Sequence, residues 1–291
     1  MNIKKLIAVT LSAATFALSL TACGGKSSDS SAGSSSAEST TVKLGVVGSI
    51  YEDLWKPAQE SLKAEGIDLE IVQFSDYATP NNALNSGDID LNAFQHQIYL
   101  DNEVEQQGYK IQSIGYTFII PLNIYSHKVK AISDIKDGDV VAIPDDVTNG
   151  GRAIKVLAAA GLITLKEDAG FNPTLEDIKT YNTKITIKEL KANTIPSVLD
   201  DVTAAVVNGN YALDFGLKTD EAIYKDSVLD EEKYWNLIAA RTADLSDPDK
   251  VEIFRKVVEA YQSDATLEVF NTECRGFYTP AGWDQDLLPQ T

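Results

Sequence analysis

Residues Thr41–Phe74, TVKLGVVGSIYEDLWKPAQESLKAEGIDLEIVQF, decide the fold class. Val42–Gly48 is a short apolar run closed by a glycine, the pattern of a buried strand. From Glu52 to Glu65 the apolar residues Leu54, Trp55, Ala58 and Leu62 recur at helical spacing, and Gly66 stops the helix. Leu69–Phe74 reads as a second strand. Strand, helix and strand in such close order form a βαβ unit, which calls for a parallel sheet covered by helices.

The alternation continues downstream. Strands are expected over Ile89–Phe94, Val140–Ile143, Ile185–Glu189, Ala204–Val207 and Leu237–Ala240, and two more within Ile111–Tyr125, broken at Pro121. Helices are expected over Gln97–Gln107, Arg152–Ala160, Pro248–Gln262 and Ala265–Asn271. An α/β pattern of this length suits either one doubly wound domain or two lobes, and periodicity alone leaves both open.

Upstream, residues 1–22 read as a secretory signal, with Lys4 and Lys5 before an apolar core, Leu6–Leu20, too short for a good transmembrane helix. It ends in Leu20-Thr21-Ala22-Cys23-Gly24, which resembles the lipobox of bacterial lipoproteins, where cleavage precedes a cysteine that carries lipid. Residues 23–40 contain eight serines and nothing that builds a core, so they read as a tether with a reach of roughly 20–25 Å.

The 291 residues carry a formal charge of −18, which disfavours nucleic acid and anionic headgroups as partners. With two histidines, and Cys274 the only cysteine besides Cys23, a transition-metal site is poorly supplied, and no cofactor is expected. No nucleophile stands beside a base in any known catalytic motif.

Four constellations have the chemistry of a binding site. Phe74-Ser75-Asp76-Tyr77 follows a strand at the carboxyl edge where open α/β sheets bind ligands; it also suits a plain turn with Asp76 as a helix cap. Phe94, His96 and Tyr99 offer an apolar slot with one oriented hydrogen bond, or a core phenylalanine and a satisfied histidine. In Asn149-Gly150-Gly151-Arg152, Asn149 reads as an N-cap, the glycines admit a ligand to the backbone, and Arg152 supplies a fork for a carboxylate. Asn208, before Gly209, has the donor and acceptor that a zwitterion needs, or serves a turn.

Taken together, the stretches FSDYxxPNxAL (Phe74–Leu84), GDIDxNxFQHxxYL (Gly87–Leu100), TNGGRA (Thr148–Ala153) and the run from Leu199 to Ala212 resemble the NlpA/MetQ family of methionine-binding lipoproteins. The resemblance covers Val42 to about Trp283. It implies a two-lobed periplasmic-binding-protein fold (type II-like) with the ligand cleft between two α/β lobes. Lobe 1 would take residues 41–122 and 240–291, lobe 2 residues 123–239, with crossover strands near Pro121–Ser126 and Asn236–Arg241. Tyr77, Phe94, His96 and Tyr99 would face the ligand from lobe 1; Asn149, Arg152 and Asn208 from lobe 2.

The implied protein is no enzyme. It is an extracytoplasmic receptor, held at the cell membrane by lipid on Cys23, that delivers L-methionine or a similar amino acid to an ABC permease with its ATPase subunits. The sequence departs from the family pattern at Gln97-Ile98, at Thr194-Ile195-Pro196-Ser197 and at Ile120, where an acidic residue is frequent. Another apolar amino acid or a short peptide therefore remains an alternative ligand, and a hydrolase or surface adhesin a remote alternative function.

Overall fold

The computed structural model describes residues 39–274 and 276–290. The signal segment, Cys23 and the tether up to Glu38 lie outside the described residues.

The chain begins with β1 (Thr40–Val47), α1 (Ile50–Ala64) and β2 (Ile67–Phe74), the expected βαβ unit. Leu44, Val46, Leu54, Trp55 and Leu62 are all buried, so the apolar strand and the helical stripe close on one core. There follow α2 (Pro80–Ser86), β3 (Leu91–Asn92), α3 (Gln97–Gln107) and β4 (Ile111–Tyr116). Next come β5 (Phe118–Ile119), β6 (Leu122–Tyr125), β7 (Val140–Pro144) and α4 (Val147–Ala159). After a hairpin of β8 (Ile163–Leu165) and β9 (Ile178–Tyr181) the chain forms β10 (Thr186–Leu190), β11 (Ala204–Asn208) and α5 (Gly209–Asp214). It ends with β12 (Leu237–Arg241), α6 (Pro248–Tyr261), α7 (Asp264–Thr272) and β13 (Thr279–Pro280), which pairs with β5.

Two sheets organise these elements, one in each lobe. The first has the order β2-β1-β3-β12-β4 and the second β10-β7-β11-β6. In the first, β1 runs parallel to both β2 and β3, and β12 is antiparallel to both its neighbours. In the second, β7 runs parallel to β10 and β11, and β6 is antiparallel to β11. The chain crosses from the first sheet to the second over residues 117–121. It returns between Tyr224, bridged to Ile124, and Asn236, bridged to His96. Each antiparallel strand is the first one laid down after a crossing, at the two positions expected from the family.

In each sheet the strand order reverses about one strand, β1 in the first and β7 in the second. The carboxyl end of such a switch strand opens a crevice between diverging connections.

Some expectations change in detail. The strand expected over Ile89–Phe94 is only β3; beyond it the Ala93 N–H still donates to the Gly45 carbonyl at 2.9 Å and the Gln95 carbonyl accepts from the Leu237 N–H at 3.0 Å. Ile111–Tyr125 holds three strands rather than two, and the β8–β9 hairpin was not anticipated. The helix expected from Arg152 starts at Val147. Cys274 is a free, buried thiol, as expected of an inert cysteine; burial pushes it up to about 12, with Glu273 and Asp53 adding to the shift. Among the described residues no helix is long and apolar enough to cross a membrane, and no group of three His, Cys, Asp or Glu stands ready for a metal ion.

Candidate ligand-binding cleft

The cleft is assembled from strand ends. Tyr77 follows β2, Phe94 and His96 follow β3, Asn149 and Arg152 lie on the helix after β7, and Asn208 ends β11. Together with Tyr99 they line one cavity. All seven residues proposed from the sequence therefore meet in one place, and Gln95, Ile120, Asn210 and Asn236 join them.

The first-sheet wall is aromatic. Phe94 lies 6.0 Å from Tyr77, near-stacked at 30°, and 6.0 Å from Tyr99, edge-on at 75°. The Tyr99 hydroxyl donates to the Tyr77 carbonyl at 3.0 Å, and the Tyr77 hydroxyl donates to Asn210 Oδ1 at 2.6 Å. Asp76 Oδ1 accepts from the N–H groups of Ala78 and Thr79, a turn that fixes the loop carrying Tyr77. Asp76 does not cap α2, whose N-cap position is Thr79. Burial raises the phenol of Tyr77 well above its ordinary range, with Tyr211 adding to the shift, so the ring stays neutral.

Gln95, between Phe94 and His96 in the chain, belongs to a triangle of buried amides. Asn81 Nδ2 donates to Gln95 Oε1 (2.8 Å), Asn92 Nδ2 to Asn81 Oδ1 (2.9 Å), and Gln95 Nε2 to both Asn81 Oδ1 (2.7 Å) and Asn92 Oδ1 (3.0 Å).

The second-sheet wall is polar, and its hydrogen bonds fix which way each group points. Asp146, not Asn149, is the N-cap of α4: its carboxylate accepts from the Asn149 N–H at 2.9 Å, which places Asn149 inside the first turn. Burial raises the Asp146 carboxyl, opposed by the hydrogen bonds from Asn149 and Thr148. The same carboxylate takes both bonds from Asn149 Nδ2, at 3.1 Å each. Asn149 Oδ1 must then point the other way, where Asn208 Nδ2 donates to it at 2.8 Å.

His96 is the N-cap of α3, its Nδ1 accepting from the Tyr99 N–H at 3.1 Å. The ring proton therefore resides on Nε2, 3.3 Å from Asn149 Oδ1. Burial, with the Arg152 charge, holds this imidazole down at about 3, so it is neutral. Both ring nitrogens have protein partners, Nδ1 the Tyr99 N–H and Nε2 the Asn149 Oδ1, so the one oriented hydrogen bond is directed at Asn149.

The glycines of the Asn-Gly-Gly-Arg motif serve packing. A Cβ on Gly150 would meet the Pro144 carbonyl oxygen at 2.9 Å, and one on Gly151 the Asn172 Cα at 2.8 Å. They let α4 sit close to its neighbours, which replaces the expectation that they admit a ligand.

Arg152 is buried, and its Nη2 donates to Asp226 Oδ2 at 2.6 Å and to the Ile120 carbonyl at 3.0 Å. Its guanidinium carbon stands 4.4 Å from the Tyr234 ring centre. Asp226 and Tyr234, on the return crossing, were not foreseen: they sit 74 and 82 residues beyond Arg152 in stretches with no motif.

Among the described residues, three buried polar atoms on the cavity's lining residues have no protein partner: Arg152 Nε, Asn236 Nδ2 and Asn208 Oδ1. Two are donors and one is an acceptor. Leaving such atoms bare in the interior is costly.

A family model described as NlpA lipoprotein matches residues 42–282. The chain belongs to the NlpA lipoprotein family. Its relatives in that family include the D-methionine-binding lipoprotein MetQ of Salmonella typhimurium, 41% identical over 81% of this chain and 86% of the relative. Outer membrane lipoprotein 3 of Mannheimia haemolytica is 38% identical over 94% and 97% of the two chains. A nutrient-binding protein from Burkholderia cenocepacia, solved bound to methionine, superposes with a TM-score of 0.77 at 40% identity, over 82% of this chain and 99% of that one. The substrate-binding protein of a methionine transporter from Streptococcus pneumoniae gives 0.78 at 32% identity, over 83% and 95%. Three of these four are named as binding proteins, and the two-lobed fold of the solved structures is the fold of this chain.

Proposed function

We propose that this protein is a lipid-anchored, extracytoplasmic substrate-binding protein that captures methionine, or a closely similar amino acid, and delivers it to an ABC permease and its ATPase subunits. Lobe 1, residues 41–122 and 240–291, supplies the aromatic wall through Tyr77, Phe94 and Tyr99. Lobe 2, residues 123–239, supplies the polar wall through Asn149, Arg152 and Asn208. His96 acts across the cleft on Asn149. Cys23 carries the lipid that holds the protein on the outer face of the cell membrane.

The observation that carries this reading is the set of orphaned atoms on the cavity's lining residues. Arg152 Nε and Asn236 Nδ2 suit an α-carboxylate, and Asn208 Oδ1 suits an α-ammonium. Opposite them, Phe94 and its neighbouring tyrosines suit a thioether, since sulfur–aromatic contacts contribute about 0.3–1.5 kcal/mol. Relatives named for methionine support the same ligand.

The test is direct. Ligand released from natively purified protein should be methionine by mass spectrometry, and chiral chromatography assigns its hand. Release of another apolar amino acid or a short peptide would replace methionine as the ligand. Turnover of bound methionine on prolonged incubation would mark an enzyme instead.

A further inference from the structure

Helix α1 begins without a cap of its own. Ser49, at its N-cap position, has helical backbone angles, and its side chain makes no capping bond. The donors exposed there are met from the other sheet, by Asp214 at the end of α5. The Asp214 carboxylate accepts from the Ser49 N–H at 3.1 Å on each oxygen, from the Ser49 hydroxyl at 2.8 Å and from the Ile50 N–H at 3.2 Å. A carboxylate at a helix N-terminus also meets the positive end of the helix dipole.

The approach is close enough to dictate the sequence of the turn. Gly48 has φ +103°, and a Cβ there would stand 2.5 Å from Asp214 Oδ2. Asp214 is not among the residues lining the ligand cavity. Its bonds exist only while the β1–α1 turn and α5 are drawn together, and opening the cleft returns both sides to water. The other end of the same short helix faces the cavity: Asn208 is its N-cap, and Asn210 binds both the Tyr77 hydroxyl and the Val47 carbonyl.

We propose that Asp214 is a positioning residue, a latch that holds the cleft closed by capping α1 across the lobes and so sets how long the ligand stays. The proposal rests on the ligand-binding reading above. A group that touches no ligand alters affinity only by changing the population of the closed state. Its loss should therefore appear in release rather than in capture.

The experiment compares the full wild-type chain with Asp214→Ala and with Asp214→Asn, which keeps the shape and one acceptor oxygen should the alanine variant fold poorly. Methionine association and dissociation are measured by stopped flow, and hydrogen exchange is followed by mass spectrometry. Release should quicken about tenfold in Asp214→Ala and less in Asp214→Asn, with association within about twofold of wild type. Exchange should rise at Ser49 and Ile50 and also at residues 75–79, across the cleft rim. A mere cap would raise exchange at Ser49 and Ile50 alone and leave release unchanged; that result overturns the latch. If wild type bound no methionine, the functional reading would fall, and exchange at residues 75–79 would decide the latch alone.

Discussion

Arg152 and Asp226 form an ion pair 2.6 Å long, with side-chain exposures of 4% and 3%. A pair so buried behaves asymmetrically: each partner depends on the other for solvation, and removing one strands the other. Arg152→Ala should therefore weaken methionine binding by roughly 30-fold to several thousandfold, the range for breaking a buried charged contact. It should also lower the melting temperature, since Asp226 keeps only backbone donors such as the Leu122 and Val228 N–H groups. Arg152→Lys should recover part of the loss, because a point charge cannot serve Asp226, Ile120 and a ligand at once. Calorimetry on the folded variants checks this; binding within threefold of wild type in Arg152→Ala would place the carboxylate elsewhere.

Asn208 has a single free acceptor, so it should discriminate at the amino end of the ligand. Asn208→Ala should weaken methionine about tenfold or more, since charge-assisted hydrogen bonds contribute about 1.5–3 kcal/mol. N-acetylmethionine should bind wild type poorly and lose little further in the variant. Equal losses for both ligands would show that Asn208 acts only through Asn149.

The aromatic wall predicts an order of side chains. Norleucine should bind more weakly than methionine, by the modest sulfur–aromatic difference, and serine far more weakly still, having lost burial at about 25 cal/mol per Å². Phe94→Ala should compress that order as well as weaken binding. A titration series that puts serine first would reject this wall as the side-chain slot.

His96 makes stability depend on pH in a known direction. In the unfolded chain it takes up a proton near 6.5; in the folded chain, burial and then Arg152 delay this to about 3. Between those values the unfolded state holds more protons, so the contribution of His96 is complete above pH 6.5 and falls as the pH drops toward 3. Asp146 and Glu103, whose carboxyls burial raises, act in the opposite sense, so the comparison must be with a variant. His96→Asn retains a good N-cap. The stability advantage of wild type over this variant should shrink by about 2 kcal/mol between pH 6.5 and 5. Denaturant titrations at both pH values test it; a constant difference would mean that the imidazole titrates normally.

Cys23→Ser should abolish lipid attachment and leave methionine binding unchanged, because every residue lining the cavity lies at Tyr51 or beyond. Metabolic labelling with a fatty-acid probe reads the first effect and calorimetry the second. Equal labelling of the variant would remove Cys23 as the anchor.

The local parts of this molecule were legible in the sequence, and the long-range parts were legible only through family motifs. The β1–α1–β2 unit follows from hydrophobic period and a glycine stop, which act over a few residues. The start of α4 was misplaced because Asn149-Gly150-Gly151 looks like a loop, whereas Asp146 caps the helix and close packing against Pro144 and Asn172 requires the glycines. The seven cleft residues lie at or near strand-to-helix junctions whose local sequence suits plain turns as well, and the family resemblance singled them out. Asn236, Asp226 and Asp214 were missed because their partners, across the cleft or the sheet, are joined by tertiary geometry that leaves no local trace.

Asn81, Asn92 and Gln95 bond to one another, with each amide's orientation dictated by the other two. None of the three can be replaced singly by an apolar residue without orphaning a neighbour in the interior. They are thus fixed points in any drift toward new cargo, and adaptation has to run through side chains that face the cavity without bearing this scaffold, such as Ile120 and Phe94. Selection of the protein for a different amino acid in the laboratory should return changes at those walls and leave the triangle untouched.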